Sequence, residues 1–312
     1  MKYRQAANTV KIEGILSEID IKTGSFTRAD GTKVDTIGGT IKVLVDQNIN
    51  NKETRVEIPV HMFSTKFKKN GGVNPAYESI ERVMNDFASI AAVGNAAQAD
   101  RVRITNAQIR MNEFPGQNGK IVSQPRIHAS FVSKVIGEFK PEASFNLEFM
   151  VSSVRRVTDA DGVELDPVKL EIQTVVPQYT DDSAPAMNID VVTLNAENPN
   201  VVNAIENYWV AGNCYKANGR LNFSSRTEEV VEEVDFGEPL RSIRTISINE
   251  FIVTGGSQAP LDGEFAVDID EIKAGVAARK QRLEDMKSGK SKQNKQTPPP
   301  ATGANNSVNL GF

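Results

Sequence analysis

Arg101-Val-Arg-Ile-Thr-Asn-Ala-Gln-Ile-Arg-Met-Asn-Glu-Phe114 reads as one long β-strand. Val102 and Ile104 place apolar side chains on even positions, and Ala107, Ile109 and Met111 place them on odd positions. A strand alternates with a period of two, so this change of phase requires one extra residue near Asn106, a bulge or a sharp bend. Long bent strands turn the corners of small closed barrels. One side of this strand is apolar. The other carries Arg101 and Arg103 before the change of phase, then Gln108, Arg110 and Asn112, with Phe114 at the exit. A basic, amide-rich face ending in an aromatic ring fits a track for a single nucleic-acid strand. A solvated barrel face has the same alternation, so the rest of the chain has to decide between them.

Upstream, Val10–Asp20, Thr40–Val45 and Arg55–Phe63 read as three strands. Ile21–Gly39 between the first two reads as a polar loop with an Asp30-Gly31 turn. Lys66-Phe67-Lys68-Lys69-Asn70-Gly71-Gly72 follows the third strand, and Asn74-Pro75 starts a helix with Tyr77, Ile80, Val83, Met84 and Phe87 on its inner face. Beyond Phe114, a Pro-Gly-Gln-Asn-Gly-Lys turn ending at Lys120 leads into a last strand over Pro125–Val135. Three strands, a helix and two strands is the order of the OB-fold, a five-stranded Greek-key barrel.

The pattern then recurs. Phe145–Val154, Val168–Val176 and Met187–Leu194 read as strands, Asn198-Pro199 starts a helix containing Val201, Val202, Ile205 and Trp209, and Cys214–Ser225 and Ile243–Val253 complete the set. Asn106–Met111 aligns with Asn218–Phe223, so Gln108 and Arg220 fall on the outside together and the bulge is expected on Asn218-Gly219, where glycine supplies the unusual backbone angle. The sequence therefore predicts a mainly β protein of two tandem OB-fold barrels, each with a helix between its third and fourth strands: residues 1–140, residues 141–256, and a tail over 257–312. In the tail, Ile269–Lys287 reads as a solvated helix, Ser288–Asn306 as disordered, and Leu310-Gly311-Phe312 as an apolar tip for a partner's pocket.

Charge divides unevenly over these 312 residues. The net charge is −4 overall, but +6 over residues 1–140, −11 over 141–256 and +1 beyond. Acid concentrates in Glu228, Glu229, Glu232, Glu233, Asp235 and Glu238, which read as a loop of the second copy. Phosphate contacts dominate nucleic-acid affinity, so the first copy is expected to supply most of it. One cysteine excludes an internal disulfide and a zinc site built on several thiolates. His61 and His128 have no Glu or His at metal spacing. No phosphate-binding loop or nucleophile elbow is present, so the expectation is a binding protein rather than an enzyme, with no metal and no cofactor. No signal peptide or membrane span is visible, and a cytoplasmic location is expected.

With these residues laid out, the chain resembles the tandem OB-fold single-stranded DNA-binding proteins of tailed phages that infect Gram-positive bacteria. The resemblance spans about residues 8–287 and rests on five stretches. These are Ser17-Glu18-Ile19-Asp20, Arg101–Phe114, Gly116-Gln117-Asn118-Gly119-Lys120, Phe236-Gly237-Glu238-Pro239 and Thr254-Gly255-Gly256-Ser257-Gln258. It implies coating of single strands in phage replication or recombination, beside a RecA-like ATPase or an annealing protein. Bacterial single-strand binders end in an acidic tail with an apolar tip; here the tip is present and the acid is absent. Lys66, Lys68, Lys69, Arg101, Arg103, Arg110, Lys120 and Arg126 are the expected phosphate ligands, and Phe67 and Phe114 the expected stacking rings. Arg220, Arg226 and Arg244 are weaker candidates from the second copy, while Phe223 is assigned to the core. The competing class is a structural or adaptor protein that uses its barrels and C-terminal peptide for assembly.

Overall fold

A computed structural model describes residues 5–49, 52–68, 70–116, 119–179, 187–232, 240–261 and 268–288. Among the described residues, eleven strands and four helices follow one another as β1 (Asn8–Thr27), β2 (Lys33–Ile49), β3 (Lys52–Thr65), α1 (Pro75–Asp86), α2 (Ile90–Val93), β4 (Arg101–Pro115), β5 (Ile121–His128), β6 (Ser133–Lys134), β7 (Glu142–Arg156), β8 (Leu170–Tyr179), β9 (Met187–Ala196), α3 (Pro199–Tyr208), β10 (Cys214–Glu232), β11 (Leu240–Gly256) and α4 (Ile269–Lys287). The fold is mainly β.

In the first half, β1 pairs with β2, β2 with β3, β3 with β5 and β5 with β4, and β4 returns to β1. In the second half, β7, β8, β9, β11 and β10 repeat that circuit, with β10 returning to β7. The two rings are stitched edge to edge, because Asn8–Glu13 of β1 pairs with Glu142–Leu147 of β7. One continuous apolar cluster runs through both, from Val10 and Ile12 to Phe251 and Val253. Each ring is plugged by its helix. Asn74 and Asn198 cap α1 and α3, their side-chain oxygens accepting the Ala76 and Asn200 N–H groups at 3.2 and 3.0 Å. Tyr77, Ile80 and Val83, and Val202 and Ile205, face inward.

The bulge expected near Asn106 is present. Val10 stands opposite Ala107 and Ile12 opposite Ile104, so Thr105 and Asn106 share the single residue Lys11. In the second ring, the shift lies instead on β11: Asn218 opposes Gly255 and Gly219 opposes Val253, leaving Thr254 as the extra residue. Gly219 is there for space rather than for its backbone angle. A Cβ would stand 2.1 Å from the Ile252 carbonyl oxygen and 2.5 Å from the Phe145 ring.

Three stretches differ from the sequence reading. The polar segment Ile21–Gly39 is mostly ladder: β1 and β2 pair from Ile15–Leu44 out to Thr27–Lys33, with a turn at Asp30-Gly31. Its apolar residues Ile21, Val34 and Ile37 are buried but too sparse along the arm to show as hydrophobic periodicity, while backbone hydrogen bonds satisfy the rest. The acidic run is likewise an arm, with Glu228 opposite Arg244 and Glu232 opposite Leu240, and residues 233–239 outside the described ones. The strand expected over Pro125–Val135 stops at His128, and Phe131 beyond it is 58% exposed.

Helix α4 has the expected bounds but is docked, not solvated. Ile272 is fully buried in a second cluster with Ala6, Val175, Ile189 and Cys214, and Gly275 lies against Ile189. Val276, one turn beyond Ile272, packs against the same cluster, along with Met187 and Val191 of β9. Leu310, Gly311 and Phe312 lie outside the described residues.

Candidate nucleic-acid interface

In β3, Val56, Ile58, Val60 and Met62 point into the ring, so Pro59, His61 and Phe63 point out. Register then sets their neighbours. Thr40 of β2 stands beside His61, His61 beside His128 of β5, and His128 beside Gln108 of β4. Along the β4–β5 hairpin follow Arg110 opposite Arg126, Asn112 opposite Gln124, and Phe114 opposite Val122. Phe63 lies two residues beyond His61 on the other side of that row, 40% exposed and opposite Gly38. A Cβ at residue 38 would come within 3.0 Å of the Phe63 ring, so glycine leaves room for it. The line Phe63, His61, His128, Arg126, Arg110, Phe114 crosses the outer face of the first ring. From His128 to Val122 alone it extends about 20 Å at strand rise.

The two imidazoles sit 5.7 Å apart, tilted by 36°, and His61 Nδ1 shares a hydrogen bond of 3.0 Å with Thr40 Oγ1. Burial lowers both pKa values to about 4, reinforced by the Arg126 charge beside His61 and by Arg110 and Arg126 beside His128. Both rings are therefore neutral and flat at neutral pH. Burial also lowers Arg110 and Arg126, but arginine remains a cation throughout. Arg110 Nη2 donates to Gln108 Oε1 at 3.0 Å, and its Nη1 lies 3.7 Å from Asp190 Oδ2 of β9.

The depressed imidazole pKa values couple stability to pH. The unfolded chain binds these protons near pH 6.5 and the folded chain only near pH 4, so the contribution is complete above 6.5 and is lost as pH falls towards 4. Asp190, raised by burial, acts in the opposite sense, so the wild-type curve alone does not isolate the histidines. The expected result is a smaller loss of urea stability between pH 6.5 and about 4 in a His61→Gln, His128→Gln double variant than in the wild type. Parallel acid profiles would assign the loss to carboxylates instead.

The structure sorts the residues expected from sequence into several places. Arg110, Phe114 and Arg126 lie on the line just described, and Lys120 is exposed at the hairpin turn, where Gly116 N–H donates to its carbonyl at 2.8 Å. Phe114 is half-buried near the end of β4, as the strand reading expected. Lys66, Phe67 and Lys68 occupy the turn after β3; Phe67 is 49% exposed, bridges to Val73 and has Lys66 Nζ 6.0 Å from its ring. Lys69 lies outside the described residues. Arg101 and Arg103 precede the bulge and are turned to other work. Arg103 Nε donates to Glu13 Oε2 at 2.6 Å, and the Arg101 guanidinium lies 4.8 Å from the Phe139 ring. Arg226 and Arg244 stand in the β10–β11 ladder, their side chains outside what the structure describes. Phe223 is core, as expected.

Phe63, His61 and His128 escaped the sequence reading. The signal for Phe63 was available: an aromatic residue in the outward phase of an otherwise regular strand.

The same register in the second ring gives a different face. Asn222 and Glu250 occupy the positions of Arg110 and Arg126, Ile252 that of His128, Asn195 that of His61, and Glu197 that of Phe63. Arg220 is bound to Glu197, Lys169 to Glu250, and Arg155 to Glu171 at 2.5 Å. These three cations are each paired with a neighbouring carboxylate.

The model of the YorF family matches residues 6–289. The chain belongs to the YorF family. No curated protein matches it. Among solved structures it is similar to a deletion mutant of the single-stranded DNA-binding protein from Thermus aquaticus, at 10% identity and a TM-score of 0.45, over 83% of this chain and 97% of that one. In this YorF family member, no group of three or more His, Cys, Asp or Glu side chains is placed to hold a metal ion among the described residues. No helix among them is long and apolar enough to cross a membrane.

Proposed function

We propose that the chain is a non-enzymatic single-stranded DNA-binding protein built from two tandem OB-fold barrels, residues 1–140 and 141–256, of which the first does most of the binding. The observation that carries this reading is the line of flat rings and guanidinium groups on the first ring's outer face: Phe63, His61, His128, Arg126, Arg110 and Phe114. Two features support it. The strand circuit, with its helix between third and fourth strands, resembles that of the OB-fold, whose second and third strands and whose loop between the fourth and fifth bind oligonucleotides. Neutral rings on both sides of a pair of cations suit a ligand that presents bases and phosphates together. The sequence resemblance adds the setting: strand coating in phage replication or recombination, in the host cytoplasm, beside a RecA-like ATPase or an annealing protein.

Binding should show little sequence preference and fall steeply with salt. Each phosphate contact to a single strand contributes about −0.7 to the log–log slope. A titration of fluorescent oligothymidine at several salt concentrations, with a duplex as competitor, tests this. A flat response, or a preference for duplex, removes the reading and leaves the barrels as assembly modules.

A further inference from the structure

Beyond Ala107, β1 no longer pairs with β4, and the edge it leaves is covered by side chains from distant parts of the chain. Asn8 Nδ2 donates to the Ile109 carbonyl at 2.8 Å, and Asn8 Oδ1 accepts the Ile109 N–H at 2.9 Å. Two residues on, Asp190 Oδ1 of β9 accepts the Met111 N–H at 2.9 Å. Two further on, the buried Glu113 carboxylate accepts from Arg282 at 2.6 Å, from Arg279, and from Ser123 Oγ at 3.0 Å. Both arginines come from α4. The Ile109 and Met111 contacts continue the ladder with side-chain groups where backbone pairing to β1 has stopped, and the Glu113 carboxylate ties α4 to the same strand. Charges taken out of water recover their desolvation cost only with good geometry, and such networks are a poor source of stability. What this one supplies is a defined position for the β4–β5 hairpin.

The geometry points to Asp190, Arg279 and Arg282 as positioning residues for the nucleic-acid face. The second ring and the C-terminal helix hold the first ring's hairpin so that Phe114, Arg110 and Arg126 line up with His128 and His61. The inference rests on the reading of that face as a single-strand track. Asp190 has a second effect, because its carboxylate also faces Arg110 and competes with phosphate for it. The acidic second half thus serves the basic first half without touching the strand.

The test uses the full chain, fluorescent oligothymidine and hydrogen exchange over residues 108–128. In an Arg279→Gln, Arg282→Gln variant, exchange of the hairpin amides is expected to rise. Affinity is expected to fall roughly tenfold, the scale of re-ordering one or two side chains on binding. The salt slope should stay unchanged, because neither arginine meets a phosphate. Glu113→Gln should act in the same direction while leaving no buried charge on β4, which separates positioning from failure to fold. Asp190→Asn keeps an acceptor for Met111 and frees Arg110, so it should bind at least as tightly, with a slope steeper by about 0.7.

Wild-type affinity in the double arginine variant and in Glu113→Gln overturns the inference. So does a shallower slope in the arginine variant, which would make those residues phosphate ligands. If the unmodified chain does not bind the oligonucleotide, the functional reading falls instead, and unchanged exchange in the variants removes the bracing as well.

Discussion

Replacing Phe63 and Phe114 together by alanine is expected to weaken single-strand binding by roughly 2–6 kcal/mol, at about 1–3 kcal/mol for each base that loses its ring. That corresponds to a loss of about thirtyfold to over ten-thousandfold. The two rings stand at opposite ends of the line across the first ring, so their losses should add. The log–log salt slope should not change, because stacking releases no counterions. Thermal stability separates the two residues. Phe63 is 40% exposed, and its removal should leave the melting temperature almost unmoved, whereas half-buried Phe114 should lower it. Binding that survives the double substitution would take the track away from this face and return attention to Phe67 and the lysines beside it.

The largest expected effect on stability lies far from that face. Trp209 is 8% exposed at the end of α3, stacked on Tyr215 at 5.5 Å and set edge-on to Phe149 at 5.4 Å. Its Nε1 donates to the Ser257 carbonyl at 2.8 Å. Trp209→Ala opens a cavity under the second ring and leaves that carbonyl without its donor, for a cost of about 3–5 kcal/mol. Urea unfolding should show a lower midpoint with a similar dependence on denaturant. Oligothymidine affinity, measured where the variant is still folded, should be retained, because Trp209 touches neither the first ring's face nor the braces of its hairpin. A parallel loss of binding in the folded variant would mean that the second ring contributes more to the strand than bracing.

Several features were decided by the amino-acid sequence alone. Two apolar phases in Arg101–Phe114 require an extra residue, because side-chain direction along a strand is a local property of the backbone. The bulge at Thr105–Asn106 follows from that alone. Asn74-Pro75 and Asn198-Pro199 start helices wherever they stand, since an amide side chain satisfies an orphan N–H and proline needs none. The repeated order of elements is legible for the same reason.

What met across strands was not legible. His61 and His128 are neighbours only because β3 and β5 run parallel in one register. Arg103 and Arg110 look alike in one strand, yet the first is bound to Glu13 and the second stands beside Arg126 on the outer face, because different partners flank the two halves of β4. The docking of α4 depends on Ile189, and the burial of Glu113 on Arg279 and Arg282, which are remote in the chain. In the second ring the extra residue is Thr254 of β11, and the Phe145 ring lies against Gly219. Periodicity reports what each residue asks of its own backbone. Which charges are neutralised, which rings line up and which edge is covered depend on distant segments packed side by side, and only the tertiary structure settles them.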